Sequence, residues 1–145
     1  MAIDYWGIEE ALAGLFANLG FKKTFIEAME RDIIFDHCPL INIRMTQADE
    51  NPSSVPNDYY MYLTFEIDVI TFSLRSFKEA VTLRSSLLGA AQDAVQKNSR
   101  FHGDVNESRL GPQVKFGALT TEGAGAQFAL ATFAVTCGIY IGVPA

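Results

Sequence analysis

The chain has 145 residues, 49% of them hydrophobic and 19% charged, which excludes a disordered polymer and fits one domain with a single real core. A net charge of −6 argues against a sequence-independent grip on nucleic acid, which needs clustered Lys and Arg. An acidic surface repels phosphate, so a wall past which nucleic acid slides stays open.

The opening MAIDYWGIEE carries acid where a secretory signal would carry base, and no apolar run reaches the roughly 18 residues of a membrane helix. A soluble, intracellular protein is expected. Cys38 and Cys137 are then read as free thiols in a reducing compartment rather than as a disulfide.

A first helix is predicted from Asp4 to Leu19. Asp4 serves as N-cap, Ile8, Leu12, Leu15, Phe16 and Leu19 form one apolar stripe, and Gly20 stands at the C-terminal cap. Trp6 lies on or beside that stripe, as core residue or interface anchor. Residues 21–36 are ambiguous, since FIEAMERD suits a helical turn or two while IIF prefers extended chain. Pro39 leads a short strand, LINIRM, at a position where its missing N–H does least harm. TQADENPSSVPND then reads as a polar loop, long enough to be functional or disordered.

Tyr59 to Phe72, YYMYLTFEIDVITF, holds the clearest pattern. Met61, Leu63, Phe65, Ile67 and Val69 fall on one side of an extended strand, with Tyr60, Tyr62, Thr64, Glu66 and Asp68 on the other. Such a strand spans roughly 46 Å, against a diameter near 40 Å for a compact domain of this size. A strand as long as its domain must bend, protrude or continue into a neighbour, which points to an assembly subunit.

Ser76 to Gln96 reads as a helix opened by a capping box, SFKE, with a small-residue face that can lie close to a sheet. A second polar loop covers Asn98 to Pro112. A short strand, Gln113 to Leu119, a TTEGAG turn and a long strand, Gln127 to Ile141, follow. Both faces of the last strand are mostly apolar, which suits a central strand covered at least in part on both sides. The order αββαββ predicts an α+β fold: a mainly antiparallel four-stranded sheet with two helices on one face, in a single domain spanning residues 1–145.

Motifs for chemistry are sparse. His37 and Cys38 are half of a metal site with no partner motif, and Cys38 with His102 has no local nucleophile signature. Glu66 and Asp68 share a strand face, which suits a solvated or channel-lining surface better than a catalytic pair. GPQVKFG and TEGAGAQ lack the GK[ST] ending of a phosphate loop. No enzyme, cofactor or metal is expected. A small-ligand pocket involving Cys38, His37 or Glu66 is the least favoured reading.

The organisation resembles the tail terminator, or tail completion, proteins of long-tailed bacteriophages. The likeness runs through IEEALAGLFANLG, CPLINIRM, the polar loop before YYMYLTFEIDVITF, the helix SFKEAVTLRSSLLGAAQDAV, RLGPQ and the closing FALATFAVTCGIYIGV. It implies a structural virion protein, assembled in the host cytoplasm and located at the tail–neck junction. Such a protein forms a ring, a hexamer, on the end of the tail tube. The ring stops tube growth and offers a surface to the head connector, while DNA passes through the lumen without specific binding. Other neck or tail subunits, a head–tail joining or tube protein, are the alternative. In that frame Tyr60, Tyr62, Glu66 and Asp68 are candidates for an inter-subunit or lumen face. Asp49, Glu50, Asn51, Asp58, Arg100, Asp104, Glu107 and Arg109 are candidates for axial contacts carried on loops.

Overall fold

In a computed structural model, which describes residues 3–52, 59–120 and 127–142, the alternating stretch becomes the middle strand of a five-stranded sheet. The elements are α1 (Tyr5–Leu15), β1 (Lys23–Ile26), β2 (Leu40–Pro52), β3 (Tyr59–Ser73), α2 (Phe77–Lys97), β4 (Glu107–Thr120) and β5 (Gln127–Gly142). The strand order is β1-β2-β3-β5-β4. Every neighbouring pair is antiparallel except β1 with β2, so the sheet is mixed. The fold is α+β, with both helices on one side.

Period-2 alternation decides which side. Leu63, Phe65, Ile67 and Val69 of β3 are fully buried with Ile41 and Ile43 of β2 and Ala131, Phe133, Val135 and Cys137 of β5. Ile8, Leu12, Leu15 and Phe16 from α1, and Leu87, Leu88, Ala91 and Val95 from α2, close this core. Thr71, buried on the same side, donates its hydroxyl to the Ala80 carbonyl at 2.6 Å and ties the first turn of α2 to β3.

The helix caps follow sequence with two changes. Asp4 accepts from the Gly7 N–H at 2.9 Å, and a Cβ at Gly7 would stand 2.3 Å from the Asp4 carboxylate, so a larger residue there would push the capping carboxylate aside. α1 ends at Leu15, not Leu19: the Ala17 N–H bonds the Gly14 carbonyl and Asn18 turns into the left-handed region (φ 66). In α2, Ser76 Oγ accepts from the Glu79 N–H at 3.2 Å. The Glu79 carboxylate does not reach back to Ser76. It accepts from the Ser73 hydroxyl at 2.8 Å, and Ser73 Oγ accepts the Ser76 N–H at 3.4 Å, so the box closes through a relay.

The region left ambiguous supplies the fifth strand. Lys23 to Ile26 pair with Leu40 to Ile43. Glu27 (φ 56) then turns the chain away, and the Ala28 N–H donates to Asn42 Oδ1 at 2.9 Å. Ladder pairing and this anchor override the weak helical preference, which survives as single 3₁₀ turns at Glu30–Asp32 and Phe35–His37. Those turns cross the sheet face opposite the helices. There Leu40, Ile70 and Phe128 form a small second core with Phe25, Ile33, Cys38, Phe72 and Leu130. It accounts for the apolar second face at the start of β5.

Both polar loops are shorter than expected, because their polar residues are strand residues. β2 runs to Pro52 as the partner of the start of β3, and β4 begins at Glu107 and passes a break in register at Leu110/Val114. Pro112 lies in that break on an edge strand, where a missing N–H costs least. Trp6 is 58% exposed and therefore not a core residue.

Candidate assembly surface

Beyond the second core, the sheet face away from the helices is uncovered among the described residues. Its side chains fall into cross-strand rows. Asp49, Tyr62, Gly138 and Glu107 make one row, Gln47, Thr64, Thr136 and Arg109 the next, and Asn42, Asp68, Thr132 and Lys115 a third. A ladder of this kind places residues distant in sequence about 5 Å apart.

The best-ordered group is built on Arg44. Its Nη2 donates to Glu66 Oε2 at 2.7 Å and to Asp68 Oδ1 at 3.1 Å, while Nε donates to Asp68 Oδ2 at 2.8 Å. Asn42 Nδ2 and the Thr132 hydroxyl also donate to Asp68, at 3.3 and 2.7 Å. The Asp68 side chain is only 14% exposed, and four donated hydrogen bonds satisfy its lone pairs. These bonds, first of all the one to Asp68, raise the Arg44 pKa above its ordinary value. The expected pair of outward carboxylates is thus half true: Glu66 and Asp68 do share a face, but Asp68 is consumed in a network that Arg44 neutralises in part.

Toward the end of the sheet near the β2–β3 connection, three tyrosines cluster. The Tyr60 ring lies 6.3 Å from Tyr62, stacked, and 5.4 Å from Tyr140, edge-on. Tyr62 and Glu107 close over Gly138, where a Cβ would come 3.1 Å from Glu107 Oε1 and 3.3 Å from Tyr62. Two shallow recesses open on this face. One, of about 180 Å³, is lined by Glu66, Gly111, Gln113, Lys115 and Thr132; the other, of about 140 Å³, by Tyr62, Glu107, Arg109 and Thr136. Small-molecule sites usually enclose about 300–1,000 Å³, so both are surface texture.

The remaining candidates divide by position. Asp49, Glu50 and Asn51 belong to β2, and Glu107 and Arg109 to β4, so none of the five is a loop residue. The ladder brings Asp49, Glu107 and Arg109 beside the tyrosines. Glu50, opposite Met61, faces the helix side. Arg100 and Asp104 are exposed in the connection from α2 to β4. Asp58 lies outside the described residues. Sequence reading missed Asn42, Arg44 and Thr132. The signal was present: alternation in LINIRM puts Arg44 on the polar side of its strand, and hairpin pairing would have set it opposite Glu66.

The groups weighed for chemistry are quiet. Cys38 and Cys137 are both free thiols. Burial pushes their pKa values up to about 11 and about 12, so both stay protonated at neutral pH and are poor nucleophiles. The Cys38 thiol donates to the Ile34 carbonyl at 3.5 Å, and His37 Nδ1 sits 2.7 Å from the Asp32 carbonyl. Among the described residues no group of three or more His, Cys, Asp or Glu is placed to hold a metal, and no helix is long and apolar enough to cross a membrane.

No protein-family model and no curated protein matches the chain. Among solved structures it is similar to a chain described as "Virion of native gene transfer agent (GTA) particle", with a TM-score of 0.42 and 17% identity over 88% of this chain and 84% of that one.

Proposed function

We propose that this chain is a structural virion protein of a long-tailed phage and acts as the tail terminator. In this reading copies close into a ring, a hexamer, on the last ring of tail-tube subunits. The ring removes the surface for further addition and offers its other side to the head connector. The action is steric and no bond is made or broken, so the protein is not an enzyme and needs no cofactor.

The observation that carries the reading is the uncovered sheet face between two strand edges that have no outer neighbour among the described residues. β4 forms one edge. At the other, β1 pairs only with Leu40 to Ile43, leaving the rest of β2 without a strand partner on that side among the described residues, its Met45 N–H taken by the Glu27 carboxylate. Unpaired edges of this length are usually blocked or used. The sequence resemblance supplies the tail.

The open face suits a lumen wall. Asp49, Glu66, Asp68 and Glu107 stand against Arg44, Arg109 and Lys115, and no basic cluster of the kind that grips phosphate lies among them. DNA would slide past it without specific binding. A tube or head–tail joining subunit is the second reading, favoured by one feature: the paired arm formed by the end of β2 and the start of β3, which suits ring-on-ring stacking.

Electron microscopy of particles assembled with this gene deleted tests the proposal. Overlong, ragged tubes separated from filled heads are expected. Normal tails joined to normal heads would overturn it.

A further inference from the structure

The two lateral edges of the molecule differ in a way that names their partner. On one edge, α1 lies beside β1. Trp6, Glu9 and Glu10 share one side of this helix by their spacing. Glu9, buried next to Glu27 just past the end of β1, sets that side against β1, with Trp6 and Glu10 exposed on the same side of the helix. Trp6 is 58% exposed, Tyr5 is also exposed, and Glu10 is in solvent. Carboxylates predominate along this edge, with Asp49 on the open face of β2 and Glu50 on its helix side, although Lys22 and Lys23 stand among them.

On the opposite edge, α2 lies beside β4. Phe116 is 60% exposed, with the Arg84 guanidinium over its ring at 4.8 Å from the centroid. Leu83 and Phe77 are exposed on the same helix. Arg84 Nη1 donates to the Leu130 carbonyl at 3.2 Å, which holds the guanidinium over the ring, while its Nε is buried without a hydrogen-bond partner among the described residues. Lys78, Arg84, Arg109 and Lys115 outnumber Glu79 and Glu107 along this edge. An exposed aromatic under a half-buried guanidinium offers a partner an apolar surface beside a cation.

We infer that the partner of each edge is the other edge of a second copy of this chain, with Trp6 of one copy seated on Phe116 of the next and Glu10 accepting from Arg84. The two patches are different and lie at opposite ends of the strand order, so the contact is head-to-tail. Such a contact generates a ring when its rotation closes, and in a ring every copy presents the same face to the axis. Acid meets base along the joint, which fixes register and disfavours the edge-on-like-edge alternative. The inference rests on the ring reading above and gives that ring its joint.

The test is disulfide trapping with the full chain in a Cys38→Ser background. An equimolar mixture of Trp6→Cys and Phe116→Cys chains should give a cross-linked dimer on mild oxidation, and neither chain should do so alone. The double variant Trp6→Cys/Phe116→Cys should give a ladder that ends at the ring. Both positions are exposed, and an unchanged urea midpoint checks that the fold is kept. Glu10→Arg or Arg84→Glu alone should slow trapping about tenfold, and the two together should restore it. Symmetric dimers of either single variant, absence of any cross-link in the mixture, or trapping of the Trp6 face on a tube protein in assembled particles would each overturn the inference. Its failure is separable from that of the tail role. Overlong tails in the deletion strain without cross-linking would remove only this joint. Cross-linking with normal tails in that strain would remove the tail role and leave the joint.

Discussion

The Arg44–Asp68 pair should be energetically coupled, and a double-mutant cycle measures by how much. Arg44→Ala removes two of the four hydrogen bonds to Asp68 and the single one to Glu66, leaving two carboxylates on one strand without their counter-charge. Hydrogen bonds to charged groups contribute about 1.5–3 kcal/mol, and an orphaned charge costs more where water is excluded. Discounting is needed, because the Arg44 side chain is 38% exposed and the Glu66 side chain 34%, and solvent screens such pairs. Asp68, at 14%, keeps most of its share. We expect Arg44→Ala to cost about 1.5–2 kcal/mol, Asp68→Ala about 2 kcal/mol, and the double variant about 1 kcal/mol less than their sum. Urea unfolding at neutral pH reads all three values as midpoint shifts at constant slope. Additive single effects would mean that the network is a surface coincidence. The open face would then lack the rigid centre attributed to it.

Further outcomes follow from the same geometry. Phe65→Ala, with its ring fully buried on the helix side, should cost about 3–5 kcal/mol. Tyr62→Glu on the half-buried, lumen-side face should cost under about 1 kcal/mol and leave ring assembly intact, and a cost in urea equal to that of Phe65→Ala would reverse the strand faces. Glu9 is buried next to Glu27, and burial, then that charge, raises its pKa. A raised carboxylate pKa adds stability below the ordinary carboxylate value of about 4.3, and that stability is lost as pH rises through the folded value. Glu9→Gln should therefore stabilise the fold at neutral pH, with the gain gone by about pH 4; a constant difference at both pH values would contradict this. Alkylation of Cys38 at pH 8 should run about two orders of magnitude slower than that of an ordinary thiol, since so little of it is thiolate. Labelling at the rate of a free cysteine would show that the second core is open.

What could be seen in the sequence tracks how local the cause was. The β3 faces, the Asp4 and Ser76 caps and the span of α2 depend on near neighbours, and alternation or spacing displays them. β1 depends on a parallel ladder to β2 and on the Asn42 side chain, neither of which KTFI announces. The polar ends of β2 and β4 look like loops because their residues face solvent on a sheet edge, where composition reports exposure and not conformation. The candidate surface divides in the same way. Tyr60, Tyr62, Glu66 and Asp68 were visible from one strand. Their partners Arg44, Thr132 and Tyr140 come from two others, and only the registers of β2 and β5 against β3 join them.

A cryo-EM reconstruction of the virion neck tests the central claim most directly. The account predicts a closed ring of this chain between the last tube ring and the connector, with the Tyr60–Tyr62–Arg44 face toward the lumen. Finding the chain elsewhere in the particle, or finding no ring of it at the end of the tube, would contradict the account.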